Sequence, residues 1–210
     1  MILSNFKVIF WDFDGVIKES VGIKTAAYLG LFSGADEALI RRIRLHHEEH
    51  GGVSRFEKIP LYLEWAGIKP DADTVTEYCD LFSKTVLQAV IDSPWVPGAK
   101  EYISANSGRQ RFFLVTATPQ EEIEEILSNL DIESYFENVF GAPKKKTDAI
   151  RETLESREIL KSDACMIGDS ETDYTAAKGN GITFILRKTA ENAKLQKFCE
   201  GETLSDFLNE

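Results

Sequence analysis

The sequence predicts an α/β protein in which a helical segment interrupts a parallel sheet. Apolar runs at 8–11, 112–115 and 164–167 are typical of buried strands, and polar residues follow each of them. From Gly98 onward strand-like and helix-like segments alternate, a pattern that indicates a parallel sheet covered on both faces. Between Glu19 and Ile91 the apolar residues follow helical spacing instead.

The first part of the chain predicts one strand and then helices. A buried-strand pattern covers 6–17, and helical spacing follows from Leu39 to His47. Further helices are expected at about 54–66, where Ser54 and Glu57 have the spacing of a capping box, and at about 72–91. The Pro- and Gly-rich stretch 93–98 is a linker. We therefore expect a catalytic core formed by 1–18 and 95–210, with an α-helical cap domain at 19–94.

The second part predicts the remainder of the core. The expected elements, in order, are a helix at 99–107, a strand at 111–116, a helix at 119–130, a short strand near 139–140, a helix at 147–159, a strand at 164–168, a helix at 171–179, a strand at 182–186 and a helical tail. Because the carboxyl ends of parallel strands share one edge of a sheet, the polar residues after the strands should meet there.

Composition limits the classes of partner. The chain has 210 residues, 43% of them hydrophobic, and a net charge of −11, which argues against a nucleic-acid or anionic-membrane binder. The longest uncharged stretch, 25–35, is far shorter than the ~18 apolar residues of a membrane span. Three cysteines without metal-ligand spacing are typical of reduced thiols. The N-terminal run is expected to be the first strand and not a signal peptide, so we predict a cytoplasmic protein.

Asp12 and Asp14 are the most informative residues, because two carboxylates follow a buried strand. Burying an unpaired charge costs several kcal/mol, so a cation is expected beside them. Mg²⁺ fits, because it binds few protein oxygens and keeps positions for water and phosphate. Asp12 is then a candidate nucleophile, and Asp14 a candidate general acid and base. The alternative is a strand that simply ends in a polar turn at Gly15.

Two further candidates would bind a phosphate. Thr116 ends the second predicted strand, and Lys146 precedes a predicted helix. Lys146 could neutralise phosphoryl oxygens, whereas a solvated turn is preferred for Lys144 and Lys145. Both Thr116 and Thr118 could instead be ordinary helix caps. That explanation is preferred for Thr118, which would start a capping box with proline at the first helical position.

Asp169 follows the third strand and is a candidate metal ligand. Asp173 has two possible roles. It is either a second metal ligand or the capping partner of Ser170, and the two roles are compatible.

Four motifs taken together resemble the haloacid dehalogenase superfamily, specifically its phosphatase branch with a helical cap. The motifs are DFDGV at 12–16, VTA at 115–117, GAPKKK at 141–146 and IGDSETD at 167–173. The resemblance implies a Rossmann-like core and an aspartyl-phosphate intermediate. It also implies that Mg²⁺ is held by the Asp12 side chain, the Asp14 carbonyl and Asp169, and that Thr116, the Ala117 amide and Lys146 bind the phosphoryl group.

The implied activity is a Mg²⁺-dependent phosphatase acting on a small phosphorylated metabolite, such as a sugar phosphate or a phosphoglycolate-like acid. The presence of Asp14 favours phosphate esters over haloacids, since the dehalogenases of the superfamily do not need it. Two alternatives are open, a phosphomutase and a non-catalytic binding module. A monomer or weak homodimer is expected.

The stretch 51–58 resembles the cap specificity loop of phosphoglycolate phosphatases and β-phosphoglucomutases. There, Arg55 or Lys58 would set specificity, and Arg55 would reach over the substrate to contact a carboxylate, a hydroxyl pair or a second phosphate. The alternative for Arg55 is a solvated residue at a helix start. The cluster His46, His47 and His50 lacks an acidic or cysteine partner at zinc spacing, so an exposed cap helix is expected there.

Overall fold

The computed structural model describes residues 2–199 and 201–210. Within this part of the chain the strands form one sheet in the order β3-β2-β1-β4-β5-β6, and every neighbouring pair is parallel. The strands are β1 Val8–Trp11, β2 Arg111–Pro119, β3 Asn138–Ala142, β4 Ala164–Gly168, β5 Thr183–Arg187 and β6 Glu202–Leu204. The predicted parallel α/β class is thereby confirmed.

Nine α-helices accompany the sheet in the described residues. They are α1 Val21–Leu31, α2 Glu37–Glu49, α3 Arg55–Trp65, α4 Ala72–Asp92, α5 Ala99–Asn106, α6 Gln120–Asn129, α7 Lys146–Ser156, α8 Glu171–Asn180 and α9 Leu195–Phe198. The predicted helical tail is wrong. The tail holds only the short α9, and β6 then pairs with β5 at the edge of the sheet.

The two faces of the sheet are covered by different helices. Ile9 and Trp11 belong to the larger hydrophobic cluster, which continues into α5, α6 and the helices α1–α4. Val8 and Phe10 belong to a second cluster with α7 and α8. This alternation along β1 follows from the two-residue period of a strand, and it explains why the run is apolar throughout.

Helices α1–α4 pack around a group of aromatic side chains. Tyr28 lies at the centre, with ring centroids 4.3 Å from Phe82 and 5.5 Å from Tyr62. Ser54 caps α3 by accepting a hydrogen bond from the Phe56 amide at 3.3 Å. These four helices, which come between β1 and α5 in the chain, therefore pack around one group of side chains that is continuous with one face of the sheet.

The two connections to these helices run side by side. The Glu19 amide donates to the Pro94 carbonyl at 2.9 Å, and the Val96 amide donates to the Ile17 carbonyl at 3.0 Å. The buried Lys18 ammonium donates to the Ile91 carbonyl at 2.9 Å. No helix in the described residues has both the length and the apolar character required to cross a bilayer.

Candidate active site

The candidate residues meet at the carboxyl edge of the sheet. Asp12 follows β1, Thr116 lies within β2, and Asp169 follows β4. These strands are adjacent and parallel, with β1 in the centre. All three residues line one cavity of about 600 Å³, which lies between the sheet edge and helices α1–α4. This is the place where open α/β sheets bind their ligands.

Three carboxylates form a compact acidic cluster in this cavity. Ligand oxygens of Asp12, Asp169 and Asp173 all lie within 4.8 Å of one another. Burial and the charge of Asp173 raise the pKa of Asp12 to about 7. Burial, followed by the charge of Asp12, raises the pKa of Asp169 well above its usual range. Carboxylates crowded in this way are destabilised when ionised, unless a cation joins them.

Gly15 allows the cluster to close. Its backbone is in the left-handed region, with φ of +73°, and a Cβ there would lie 2.1 Å from Asp169 Oδ2. A side chain at this position would therefore displace the carboxylate as well as strain the turn.

Lys146 is the ammonium group that meets this cluster. Its Nζ lies 2.9 Å from Asp12 Oδ1 and 2.6 Å from Asp173 Oδ1. Although burial opposes the charge, the two carboxylates raise the pKa of Lys146, so it is a permanent cation. Lys145 is exposed, and Lys144 pairs with Glu152 at the surface. Among the three adjacent lysines, only Lys146 therefore contacts the cluster.

Asp173 both caps a helix and holds this lysine. Its Oδ2 accepts hydrogen bonds from the Ser170 amide at 3.1 Å and the Ser170 hydroxyl at 2.6 Å, which completes a capping box at α8. Its Oδ1 accepts from Lys146. Both oxygens already have partners, so the capping role is observed and a metal-binding role stays a prediction.

Asp14 lies in a different environment from Asp12. Its carboxylate accepts a hydrogen bond from Ser20 Oγ at 2.6 Å and pairs with the ammonium of Lys24, which comes from α1. Burial raises the pKa of Asp14, but Lys24 and Ser20 outweigh burial and bring the pKa below its ordinary value. The two neighbouring carboxylates thus lie in different electrostatic environments, Asp12 beside other carboxylates and Lys146, and Asp14 beside Lys24 and Ser20.

Thr116 and Ala117 line the cavity beside these residues. Thr116 is buried, and its Oγ1 accepts a hydrogen bond from the Thr118 amide at 3.2 Å. The expectation that Thr118 caps the next helix is wrong. Strand β2 continues to Pro119, which is itself the N-cap of α6, and the Thr118 hydroxyl accepts from Lys24 at 2.8 Å. Thr118 is therefore part of the surroundings of Asp14.

The donor set fits a hard divalent cation. Asp12 and Asp169 offer carboxylate oxygens whose pKa values are raised by burial and by neighbouring carboxylates, and Lys146 is shared between Asp12 and Asp173. Oxygen donors are what Mg²⁺ prefers, and thiol and imidazole ligands are absent from this cluster of described residues.

Arg55 lines the cavity but is already paired. The sequence predicts that Arg55 reaches over the substrate. In the structure its guanidinium contacts Glu122 on α6. The contact is bidentate, with Nη1 to Oε2 at 2.7 Å, and Nη1 also donates to Ser83. Both members of the pair are buried. Arg55 therefore joins α3 to α6, and a direct role toward substrate stays a prediction.

Lys58 and His47 also face the cavity. The expectation that the histidines lie on an exposed helix is wrong for His47, which packs under the Tyr28 ring with centroids 4.7 Å apart. Lys58 Nζ lies 2.9 Å from His47 Nδ1. Burial and the charge of Lys58 lower the pKa of His47 to about 2, so the imidazole is neutral and accepts this hydrogen bond.

Several residues of the site have no signal in the sequence. Lys24, His47 and Glu122 are polar residues on helices, and the partners that they meet depend on how those helices pack. Asn192 is in the tail, where its side chain donates to the Asp169 carbonyl at 2.8 Å and fixes the loop beside the cluster. The loop is closed by two local hydrogen bonds, from the Thr189 amide to Asn192 Oδ1 at 3.0 Å and from the Asn192 amide to Thr189 Oγ1 at 3.1 Å, which were not predicted from the sequence.

Comparison with known proteins agrees with this geometry. A family model described as haloacid dehalogenase-like hydrolase matches residues 9–187. A phosphorylated carbohydrates phosphatase from Thermotoga maritima is 27% identical over 182 residues, covering 84% of this chain and 82% of the relative.

Solved structures share the fold. A variant of CbbY from Rhodobacter sphaeroides, in complex with xylulose-1,5-bisphosphate, has a TM-score of 0.75 at 18% identity, covering 97% of this chain and 96% of CbbY. β-Phosphoglucomutase from Clostridium difficile has a TM-score of 0.72 at 16% identity, covering 96% and 92%. The resemblance shown by the four motifs is confirmed. Because the family model matches residues 9–187, which is most of the chain, the chain belongs to the haloacid dehalogenase-like hydrolases.

Proposed function

We propose that this protein is a Mg²⁺-dependent phosphatase that hydrolyses a small phosphorylated metabolite through an aspartyl-phosphate on Asp12. The observation that carries the proposal is the pair Asp12 and Asp14 in one cavity, where Asp12 lies 2.9 Å from Lys146 and beside Asp169, and Asp14 pairs with Lys24. The Thermotoga relative is named as a phosphatase of phosphorylated carbohydrates, which supports the same class of substrate here.

Asp12 is the nucleophile in this proposal. Its carboxylate attacks the phosphorus atom, and the bond from phosphorus to the ester oxygen breaks. Lys146, 2.9 Å from Asp12, holds that carboxylate and offsets charge on the phosphoryl oxygens. Thr116 and Ala117 line the cavity where the phosphoryl group would bind.

Asp14 transfers the protons. In its protonated form it gives a proton to the leaving ester oxygen, and in its ionised form it takes a proton from the water that attacks the phosphoryl group. That second attack breaks the bond to Asp12 and releases phosphate. Lys24 and Ser20 lower the pKa of Asp14 and so favour the base that the second step requires.

Mg²⁺ would be held by Asp12, the backbone carbonyl of Asp14 and Asp169, with Asp173 as a further predicted ligand. When bound, it neutralises phosphate charge and carboxylate charge. The raised pKa values of Asp12 and Asp169 support a cation at this place, because burial and neighbouring carboxylates disfavour their ionised forms and a bound cation would favour them.

The test is release of phosphate from p-nitrophenyl phosphate and from a panel of phosphorylated metabolites, with Mg²⁺ and with excess EDTA. We expect hydrolysis with Mg²⁺ that EDTA abolishes and added Mg²⁺ restores. The panel is also scored for isomerised product, which identifies a phosphomutase. Turnover that is unchanged by EDTA, or no release from any ester, would contradict the proposal.

A further inference from the structure

Two large apolar side chains, Leu45 and Phe198, line the cavity and are nevertheless about half exposed. Leu45 belongs to α2 and is 49% exposed, and Phe198 ends α9 and is 53% exposed. A side chain that lines a cavity and also contacts bulk solvent lies at the opening of that cavity. Single apolar residues on a surface are ordinary, whereas apolar residues that gather in a groove with a polar rim are typical of a binding site.

The segment that carries Phe198 is fixed to the carboxylate cluster. The side-chain amide of Asn192 donates to the Asp169 carbonyl and to the Arg187 carbonyl, both at 2.8 Å. Leu195, the first residue of α9, is buried and belongs to the second hydrophobic cluster. Phe198 follows within one helical turn, so these contacts determine where its ring lies.

The other side of the opening is formed by α2. Glu49 at the end of α2 pairs with Lys194 at 2.5 Å, which brings this end of the helix against the start of α9. Leu45 lies one turn before Glu49, and Phe198 lies one turn after Lys194, so each apolar side chain neighbours one member of the ion pair. Leu45 and Phe198 therefore lie close to one another at the same opening.

A monoester bound for attack by Asp12 would point its alcohol part toward this opening. In phosphoryl transfer the attacking and leaving oxygens are roughly in line, so the leaving oxygen lies on the side of phosphorus opposite to Asp12. Because Asp12 is at the sheet edge, the alcohol part extends away from the sheet into the cavity. The volume of about 600 Å³ is typical of pockets that enclose larger ligands than a small phosphorylated acid.

The charges near the opening disfavour a second anion on the substrate. Glu171 and Glu191 line the cavity, and no ion pair among the described residues includes either of them. The ammonium of Lys194 is already paired with Glu49. An anionic end group would be repelled here, whereas an uncharged apolar group would cover exposed apolar surface and remove it from water.

We propose that Leu45 and Phe198 bind an apolar end group of the substrate, while its phosphate binds beside Asp12. This inference rests on the proposed phosphatase function, and it narrows the substrate class. A phosphorylated carbohydrate that carries an alkyl or aryl substituent is favoured over the unsubstituted sugar phosphate, and also over esters that end in a second anion.

The first experiment measures binding by calorimetry with Mg²⁺ present, so that it does not depend on turnover. The probes are methylphosphonate, butylphosphonate, hexylphosphonate and 6-phosphonohexanoate, which ends in a carboxylate. For wild type, we expect affinity to rise along the alkyl series and to be at least about 10-fold higher for hexylphosphonate than for methylphosphonate, because each methylene that leaves water favours binding. The probe with the carboxylate should bind more weakly than hexylphosphonate.

The variants Phe198→Ser and Leu45→Ser test the two sides of the opening separately. Each should lower the ratio of hexylphosphonate to methylphosphonate affinity to about one third of the wild-type ratio or less, since part of the apolar contact is lost. Leu160→Ser is the matched control and should keep the wild-type ratio, because Leu160 is 66% exposed and lies outside the cavity. If Phe198→Ser is insoluble, Leu45→Ser on the longer helix α2 decides the outcome.

Four results would overturn the inference. They are equal affinity for methylphosphonate and hexylphosphonate, tighter binding of 6-phosphonohexanoate than of hexylphosphonate, no binding of any probe to wild type, and an affinity ratio that Phe198→Ser and Leu45→Ser leave unchanged.

Turnover distinguishes this inference from the function on which it rests. We expect kcat/KM to be at least about 10-fold higher for hexyl phosphate than for methyl phosphate, whose leaving groups are both simple alcohols. If no ester is hydrolysed but the affinity contrast persists, the phosphatase proposal fails and the apolar subsite stands. If esters are hydrolysed but the contrast is missing, the subsite fails alone.

Discussion

The ion pair between Arg55 and Glu122 makes a quantitative prediction about the interface between the helices α1–α4 and the core. Arg55 is 4% exposed and Glu122 8%, and the pair is bidentate. Each single variant, Arg55→Met or Glu122→Leu, leaves one uncompensated charge in a buried position. The double variant leaves none and places two apolar side chains together.

The magnitudes follow from the burial of the pair. Breaking a buried ion pair from one side typically costs about 3–5 kcal/mol, whereas replacing both partners with apolar groups is often close to neutral. Arg55→Met should come near the upper value. Glu122→Leu should cost less, because the guanidinium keeps its hydrogen bond to Ser83 and its position over the Phe82 ring, 4.5 Å away. The double variant should lose less stability than the two single losses added together, by at least about 2 kcal/mol.

The assay is urea unfolding of wild type, both single variants and the double variant, with the free energies of unfolding combined as a double-mutant cycle. A matched control is the exposed pair Arg111 and Glu137, whose removal should cost about 1 kcal/mol or less. Single losses that add without coupling would show that Arg55 and Glu122 do not pair in solution, and would return Arg55 to the role predicted from the sequence.

Three further predictions concern the carboxylate cluster and the close contact of Gly52 with α8. Lys146→Met should lower kcat about 10²- to 10³-fold while Lys145→Met, at the exposed neighbour, stays near wild type; equal losses would refute the assigned role. Gly52→Ala should lower kcat/KM and reduce the free energy of unfolding by roughly 1–2 kcal/mol, because φ is +75° and the new Cβ would lie 2.0 Å from the Thr172 hydroxyl. Gly30→Ala is the control, since a Cβ there meets open space and should change neither quantity. Similar behaviour of the two variants would contradict the close contact. Without metal, stability should fall as pH rises, because the pKa of Asp12 is about 7 in the folded protein against its ordinary 3.8. That stabilising protonation is present at low pH and lost as pH rises through 7, so Mg²⁺ should raise the unfolding temperature more at pH 8 than at pH 5, and equal shifts would argue against a metal at this cluster.

Much of the fold was predictable from local pattern. Buried strands of a parallel sheet give continuous apolar runs, and the carboxylates after β1 and β4 mark the edge at which those strands end. The tail was not predictable in this way. Strand β6 has three residues, and its pairing with β5 depends on a neighbour that the local sequence does not report.

The polar contacts across the cavity show a second limit. Asp14 is recognisable from its motif. Its partner Lys24 lies on α1, and the rotation and tilt of that helix are determined by packing. The same holds for Arg55, whose guanidinium pairs with the buried carboxylate of Glu122 on α6. Pairing between charged side chains on different elements leaves no periodic signal in a single sequence.

The central claim is that Asp12 forms the covalent phosphoryl intermediate, and Asp12→Asn with BeF₃⁻ tests it most directly. With Mg²⁺ present, BeF₃⁻ mimics a phosphoryl group on a carboxylate, so it should bind wild type and protect it against thermal unfolding. The Asp12→Asn variant should fold and fail to bind BeF₃⁻. Its turnover should not exceed the activity of the fraction in which the new asparagine has deamidated back to aspartate. Binding of BeF₃⁻ by the folded variant, or substantial turnover, would contradict the account.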